Sequence, residues 1–186
     1  MILFINACVR EKSRTLVLAK RLLNTLDGDT KEVQLESVIF PVVNEDFIVR
    51  RDALMRSGMY DDPMFELAGD FAKADTIVIA APYYDLSFPA MLKQYFEQIN
   101  VLGITFAYSE AGILTGLCKA KDMYYVTTAG GPVMSDAFGF GYVKALAETF
   151  YGIKHVYQIK AEGLDIAGAD VNRILDSTSV ELVSQT

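Results

Sequence analysis

The sequence is poor in the side chains that most nucleophilic and metal chemistry requires. It holds two cysteines, Cys8 and Cys118, and one histidine, His155. Four soft ligands for zinc cannot be assembled from that inventory. A Cys–His nucleophile pair is disfavoured as well: Cys8 falls at a predicted strand end, His155 precedes another strand, and no thiolate-activating neighbour accompanies either cysteine. Buried free thiols in a reducing compartment are the simpler reading. Positive charge is also scarce. Seventeen Lys and Arg stand against 24 Asp and Glu, for a net charge of -7, and no basic run interrupts the chain. Nucleic acid and anionic membrane surfaces both need a basic face, so neither is an expected partner. No apolar run reaches the ~18 residues of a membrane span. The opening MILFINA lacks the charged stretch and cleavage site of an export signal, so a cytoplasmic location is expected. The glycine-rich fingerprints of a Walker loop or a dinucleotide-binding turn are missing. That absence argues against ATP, and against a tightly held dinucleotide, as the primary ligand.

What is present is an alternation of two periods. The chain is 52% hydrophobic, enough for one ordinary globular domain over residues 1–186. Ile2–Asn6 and Thr76–Ala81 are short apolar runs of the kind buried on both faces of a parallel sheet. Thr30–Leu35, Met123–Thr128 and Lys154–Ile159 read as three more strands. Between them, apolar residues recur at helical spacing. One helix follows Ser13 as its N-cap, one starts at Asp62-Pro63, and one starts at Pro89; others span Phe138–Phe150 and Val171–Val183. Glu36–Asp62 is irregular apart from a short helix over Phe47–Arg56, and Leu102–Leu117 reads as irregular throughout. Strictly alternating strands and helices predict an α/β fold with helices on both faces of a five-stranded parallel sheet. The flavodoxin-like order 2-1-3-4-5 suits that count, with ligands bound beyond the carboxyl ends of the strands.

Three loops would then share one rim. The first ends in Ser13-Arg14-Thr15 at a helix start, where unpartnered N–H groups and about half a positive charge favour a phosphate. The plainer alternative is a capped helix with a solvated arginine. The second, Pro82-Tyr83-Tyr84-Asp85-Leu86, offers aromatic walls and backbone donors to a flat ring, or is simply a tyrosine-rich surface loop. The third, Thr128-Ala129-Gly130-Gly131, lets backbone approach a ligand closely, or is a turn into the next helix. Their coincidence on one rim favours the ligand reading over each plain alternative.

Three stretches carry a family resemblance: VIAAPYYDLSFPAMLKQYFEQINVLGITFAYSEAGILTGL, then VTTAGG, then ETFYGI. Through them the chain resembles the flavodoxin-like NAD(P)H:quinone reductases, and within these the FMN-dependent NADH:azoreductases. The resemblance spans nearly the whole length. It implies an FMN-dependent homodimer that reduces quinones or aromatic azo compounds with NADH or NADPH in a ping-pong cycle. It implies that Ser13, Arg14 and Thr15 hold the FMN phosphate, that Pro82 to Leu86 flank the flavin ring, and that Thr128 to Gly131 cover its pyrimidine end. Phe106 would help form the acceptor pocket at the dimer interface. The flavin N5 would carry the hydride, so no protein residue is assigned a catalytic role. The chain departs from the family pattern at Asp85, where Asn is usual, and at Ala7 and Cys8, where Ser is often found. A flavodoxin-type one-electron carrier, or a flavin-binding regulatory protein, is the rival reading. The aromatic segment Ile104–Tyr108 counts against the carrier.

Overall fold

Successive side chains of a strand point to opposite faces of its sheet, and that alternation divides the core in two. The computed structural model describes residues 1–179 and the backbone of 181–182. In β1 (Ile2–Asn6), Leu3 and Ile5 join one apolar layer while Ile2 and Phe4 join the other. In β3 (Thr76–Ala80), Ile77 and Ile79 go one way, Val78 and Ala80 the other. Both strands are apolar at successive positions because both of their faces are covered.

The sheet is completed by β2 (Thr30–Gln34), β6 (Asp122–Thr128) and β7 (His155–Ala161), while β4 (Phe106–Tyr108) and β5 (Leu114–Gly116) stand apart from it. The five strands run parallel in the order β2-β1-β3-β6-β7, which is the expected 2-1-3-4-5 once the set-apart strands are discounted. The first layer is closed by α3 (Glu66–Lys73), α4 (Ala90–Ile99) and α5 (Phe140–Leu146), which bury Phe71, Tyr95, Phe96 and Val143. The second is closed by α1 (Arg14–Leu23) and, near the chain's end, α6 (Val171–Ser177), which bury Leu18, Ala19, Leu22 and Leu175.

Local chemistry sets the element ends. The Ser13 hydroxyl accepts the Leu16 N–H at 3.2 Å and caps α1. Asp62 accepts the Met64 N–H at 2.9 Å, and Pro63 opens a 3₁₀ turn that leads into α3. The irregular stretch after β2 contains α2 (Glu45–Arg56), two residues longer at its start than the sequence pattern predicts. Asn44 causes this by capping the Phe47 N–H at 3.0 Å.

Two departures from expectation stand out. Leu102–Leu117 is not wholly irregular: β4 (Phe106–Tyr108) and β5 (Leu114–Gly116) form a separate antiparallel hairpin. The closing helix stops at Ser177 instead of Val183, which lies outside the described residues. Ser177 and Thr178 turn their hydroxyls back onto the Ile174 carbonyl at 3.1 and 2.8 Å, competing with the backbone for the last turn. A short β8 (Glu181–Leu182) then adds antiparallel to β7, giving the sheet a sixth strand.

Candidate functional site

The chain winds from β1 to β2 in one direction and from β3 through β6 to β7 in the other. The crevice between β1 and β3 is where the winding reverses, and there the loops on either side separate. Backbone hydrogen bonds carry the parallel ladder past the strand ends. Ala7 donates to Ala80, Ala81 to Val126, and Ala129 to Ala161, each at 2.9 Å; Tyr83 donates to Thr128 at 3.1 Å. The loops that leave these strands therefore start from one level.

The first loop is held from below. Buried Asn6 donates to Glu32 at 2.8 Å and to Gln34 at 2.6 Å, and its carbonyl oxygen accepts the Cys8 N–H at 3.0 Å. That fixes the departure of residues 7–12 toward Ser13. Ser13 and Thr15 are buried at the start of α1. The Thr15 hydroxyl lies 2.7 Å from that of Thr128, so the first and third loops touch directly. The second loop folds into a tight turn: Tyr84 and Ser87 exchange backbone hydrogen bonds at 3.1 and 2.7 Å across Asp85 and Leu86. Ser87 donates its hydroxyl to the Phe138 carbonyl at 2.6 Å, tying the second loop to the third.

These contacts enclose a cavity of about 240 Å³. Ser13, Arg14 and Thr15 line it, as do Pro82, Tyr83 and Tyr84, and Thr128, Ala129 and Gly130. Three segments distant in sequence thus meet around one space. Asp85 and Leu86 stand exposed at the turn tip, outside the lining. Gly131 is exposed just beyond it. Phe106 sits on the β4–β5 hairpin, edge-on to Phe150 at 5.1 Å and to Tyr108 at 5.9 Å, and does not line the cavity.

Four lining residues escaped the sequence pattern: Arg10, Lys12, Leu164 and Asp165. The signal for the last two was the topology itself, because the loop after β7 must leave from the same rim. Three backbone bonds seat it there: Gly163 N–H to Gly131, Leu164 to Ala129 and Asp165 to Gly130, at 3.0, 3.2 and 2.8 Å. A β-carbon on Gly130 would lie 2.1 Å from Asp165 Oδ2, so a larger residue there would displace the carboxylate. Asp165 Oδ1 accepts from Arg14 Nη2 at 2.5 Å. In a chain with a net charge of -7, the lining gathers three cations, Arg10, Lys12 and Arg14, against one carboxylate. With the free N–H groups at the start of α1, these side chains form a lining able to receive an anion.

Neither thiol is poised as a nucleophile. Burial pushes the Cys8 thiol up and the Cys118 thiol up to about 12, which keeps both protonated near neutrality. Cys8 follows the carboxyl end of β1, whereas His155 begins β7, at the amino ends of the parallel strands. Among the described residues, no helix is long and apolar enough to cross a membrane.

A family profile described as flavodoxin-like fold matches residues 1–185. A protein of Coprothermobacter proteolyticus named FMN-dependent NADH:quinone oxidoreductase is 34% identical over 173 residues, covering 88% of this chain and 85% of its own length. One of the same name from Clostridium beijerinckii is 31% identical over 178 residues, covering 92% and 89%. Among solved structures, an azoreductase from Bacillus anthracis superposes with a TM-score of 0.81 at 22% identity, over 95% of this chain and 93% of that one. At that identity the superposition speaks for the fold alone.

Proposed function

We propose that this chain, which belongs to the flavodoxin-like fold family matching its residues 1–185, is an FMN-dependent oxidoreductase that passes electron pairs from a reduced nicotinamide to a quinone or aromatic azo acceptor. The observation that carries the proposal is the convergence of the three rim loops on one cation-lined cavity at the winding reversal. The curated relatives' names agree with it.

The residues present fit a phosphorylated flavin. Ser13, Arg14 and Thr15 would hold the phosphate: hydroxyls and first-turn N–H groups donate, and the guanidinium supplies charge. The Ser13 oxygen already accepts from Leu16 N–H, which leaves its own proton free to donate. Pro82, Tyr83 and Tyr84 would wall the ring, with Asp85 and Leu86 at its outer edge. Thr128 to Gly131 would cover its polar end, where negative charge develops, with the Gly130 and Gly131 N–H groups as the donors. Bound there, FMN supplies the hydride chemistry between donor and acceptor. The chain's part is to fix the ring's edge, to leave one face open, and to keep nucleophiles out. Both thiols remain protonated, as the last of these requires.

The loops beside the cavity carry exposed apolar side chains. Leu86, Met134 and Phe138 are exposed in the two loops that the Ser87–Phe138 contact joins. A flat, weakly polar acceptor suits such a rim. Because donor and acceptor would use the same face in turn, the kinetics would be ping-pong. The proposal extends to a homodimer of one-domain chains, with Phe106 helping to form the acceptor pocket. It is supported by apolar side chains left in water, Ile39 at 96% exposure and Val42 at 78%, beside a largely apolar groove of about 700 Å³. Free thiols and the use of a nicotinamide suit the cytoplasm.

The test is direct. Protein purified under native conditions should be yellow. Anaerobic NADH or NADPH should bleach it, and a quinone should restore the colour with no second protein. Double-reciprocal plots at several acceptor concentrations should be parallel. A colourless protein that cannot be reconstituted with FMN contradicts the proposal. A flavoprotein that turns over only with a separate reductase indicates a one-electron carrier instead.

A further inference from the structure

The Arg14–Asp165 pair closes over the cavity that the proposed function assigns to a phosphate. Its partners are 151 positions apart in sequence and join α1 to the loop after β7. The loop's backbone is fixed by its three bonds to residues 129–131. The carboxylate itself is not fixed, because the Asp165 side chain is 65% exposed. One oxygen lies on Arg14 Nη2 and the other lies over the bare α-carbon of Gly130. The carboxylate thus occupies space that a side chain at position 130 would take. Of the cavity's four charged lining residues, Asp165 is the one anion.

We propose that Asp165 is an internal stand-in anion: it holds the Arg14 guanidinium in the absence of ligand and must swing out before a flavin phosphate can take that place. The inference rests on the FMN reading and deepens it by naming a residue that sets selectivity for phosphorylated over unphosphorylated flavin. The physical argument is competition and repulsion. A phosphate monoester brings close to two negative charges at neutral pH into a space that already holds a carboxylate, and both seek the same donors. Swinging Asp165 into water frees Arg14 at small cost, since an exposed ion pair holds weakly. The pair would preorganise Arg14 while taxing phosphate affinity. Riboflavin, which lacks the phosphate, would not meet the competition.

The experiment titrates flavin-stripped protein with FMN and with riboflavin, read by quenching of flavin fluorescence, at low ionic strength and in about 1 M salt, where charges are screened beyond a few ångströms. Asp165→Asn should tighten FMN about fivefold at low salt, leave riboflavin unchanged, and lose most of its advantage in high salt. In an Arg14→Gln background the same substitution should give no gain. Unchanged or weaker FMN binding by Asp165→Asn overturns the inference. So does an equal gain for riboflavin, or a gain that survives Arg14→Gln. If the unsubstituted protein binds FMN while any of these is seen, the stand-in role alone fails. If it binds neither flavin, the FMN reading falls and the stand-in role falls with it.

Discussion

Ser13 serves two structural ends with one hydroxyl. Its oxygen caps α1 by accepting from Leu16, and its proton is left for a ligand. Ser13→Ala should therefore cost about 1 kcal/mol of stability through the lost cap and also weaken FMN binding. Urea unfolding and a flavin titration measure the two effects separately; a stability loss with FMN affinity intact would confine Ser13 to capping. A second residue, Asp75, makes a claim about acid. The hydrogen bond from Lys119 at 2.5 Å, with the Met1 amino group adding to it, lowers its pKa from 3.8 to about 2. A depressed carboxyl contributes stability that is present above its unfolded value and is lost as pH falls toward the folded one. The loss should fall between about pH 4 and pH 2. Acid titration of Asp75→Asn should show a shallower fall over that window, and identical slopes would contradict the assignment. At this scale the sequence spoke clearly where a hydroxyl precedes a helix, as at Ser13. It was silent about Asp165, because one acidic residue in a polar stretch looks like any solvated side chain until topology brings Arg14 to it.

At the scale of elements, legibility followed length and burial. β1 and β3 announced themselves as continuous apolar runs because both of their faces are covered. The β4–β5 hairpin did not. Its strands are three residues each and half exposed, too short for a period of two to show. What holds the hairpin is a contact no pattern reveals: a β-carbon on Gly116 would lie 2.1 Å from the Gly152 backbone nitrogen. Gly116→Ala should therefore destabilise the protein by about 3 kcal/mol, the upper end of overpacking costs. Chemical denaturation measures this, and a loss under 1 kcal/mol would mean that the backbones separate easily. The turn after β3 makes the opposite prediction. Asp85 and Leu86 both have positive φ, 49° and 68°. This is the tight-hairpin geometry that favours Asn-Gly or Asp-Gly. Asp85 suits it, whereas Leu86 is strained there, as side chains in the left-handed region are. Leu86→Gly should raise stability by about 0.5 kcal/mol, the relieved strain exceeding glycine's entropic cost. A lower melting temperature would show that Leu86 contributes packing that outweighs the strain.

For the molecule as a whole, strand order does the functional work. Winding reversal between β1 and β3 opens a crevice, and parallel strands deliver every loop that could fill it to one rim. The order was readable because the alternation of strand and helix leaves few right-handed arrangements. The late strand β8 was not readable, since two residues carry no period. The polar, cation-lined cavity is assigned to FMN, while the larger apolar groove formed by Val38–Pro41, α2 and α3 is not. Amide hydrogen exchange with and without FMN tests that assignment most directly. Protection should appear in four segments at once, around residues 10–17, 82–87, 128–133 and 163–166, and leave residues 38–50 unchanged. Protection centred on residues 38–50, or confined to only one of the four rim segments, would contradict a flavin clasped at the carboxyl ends of the sheet.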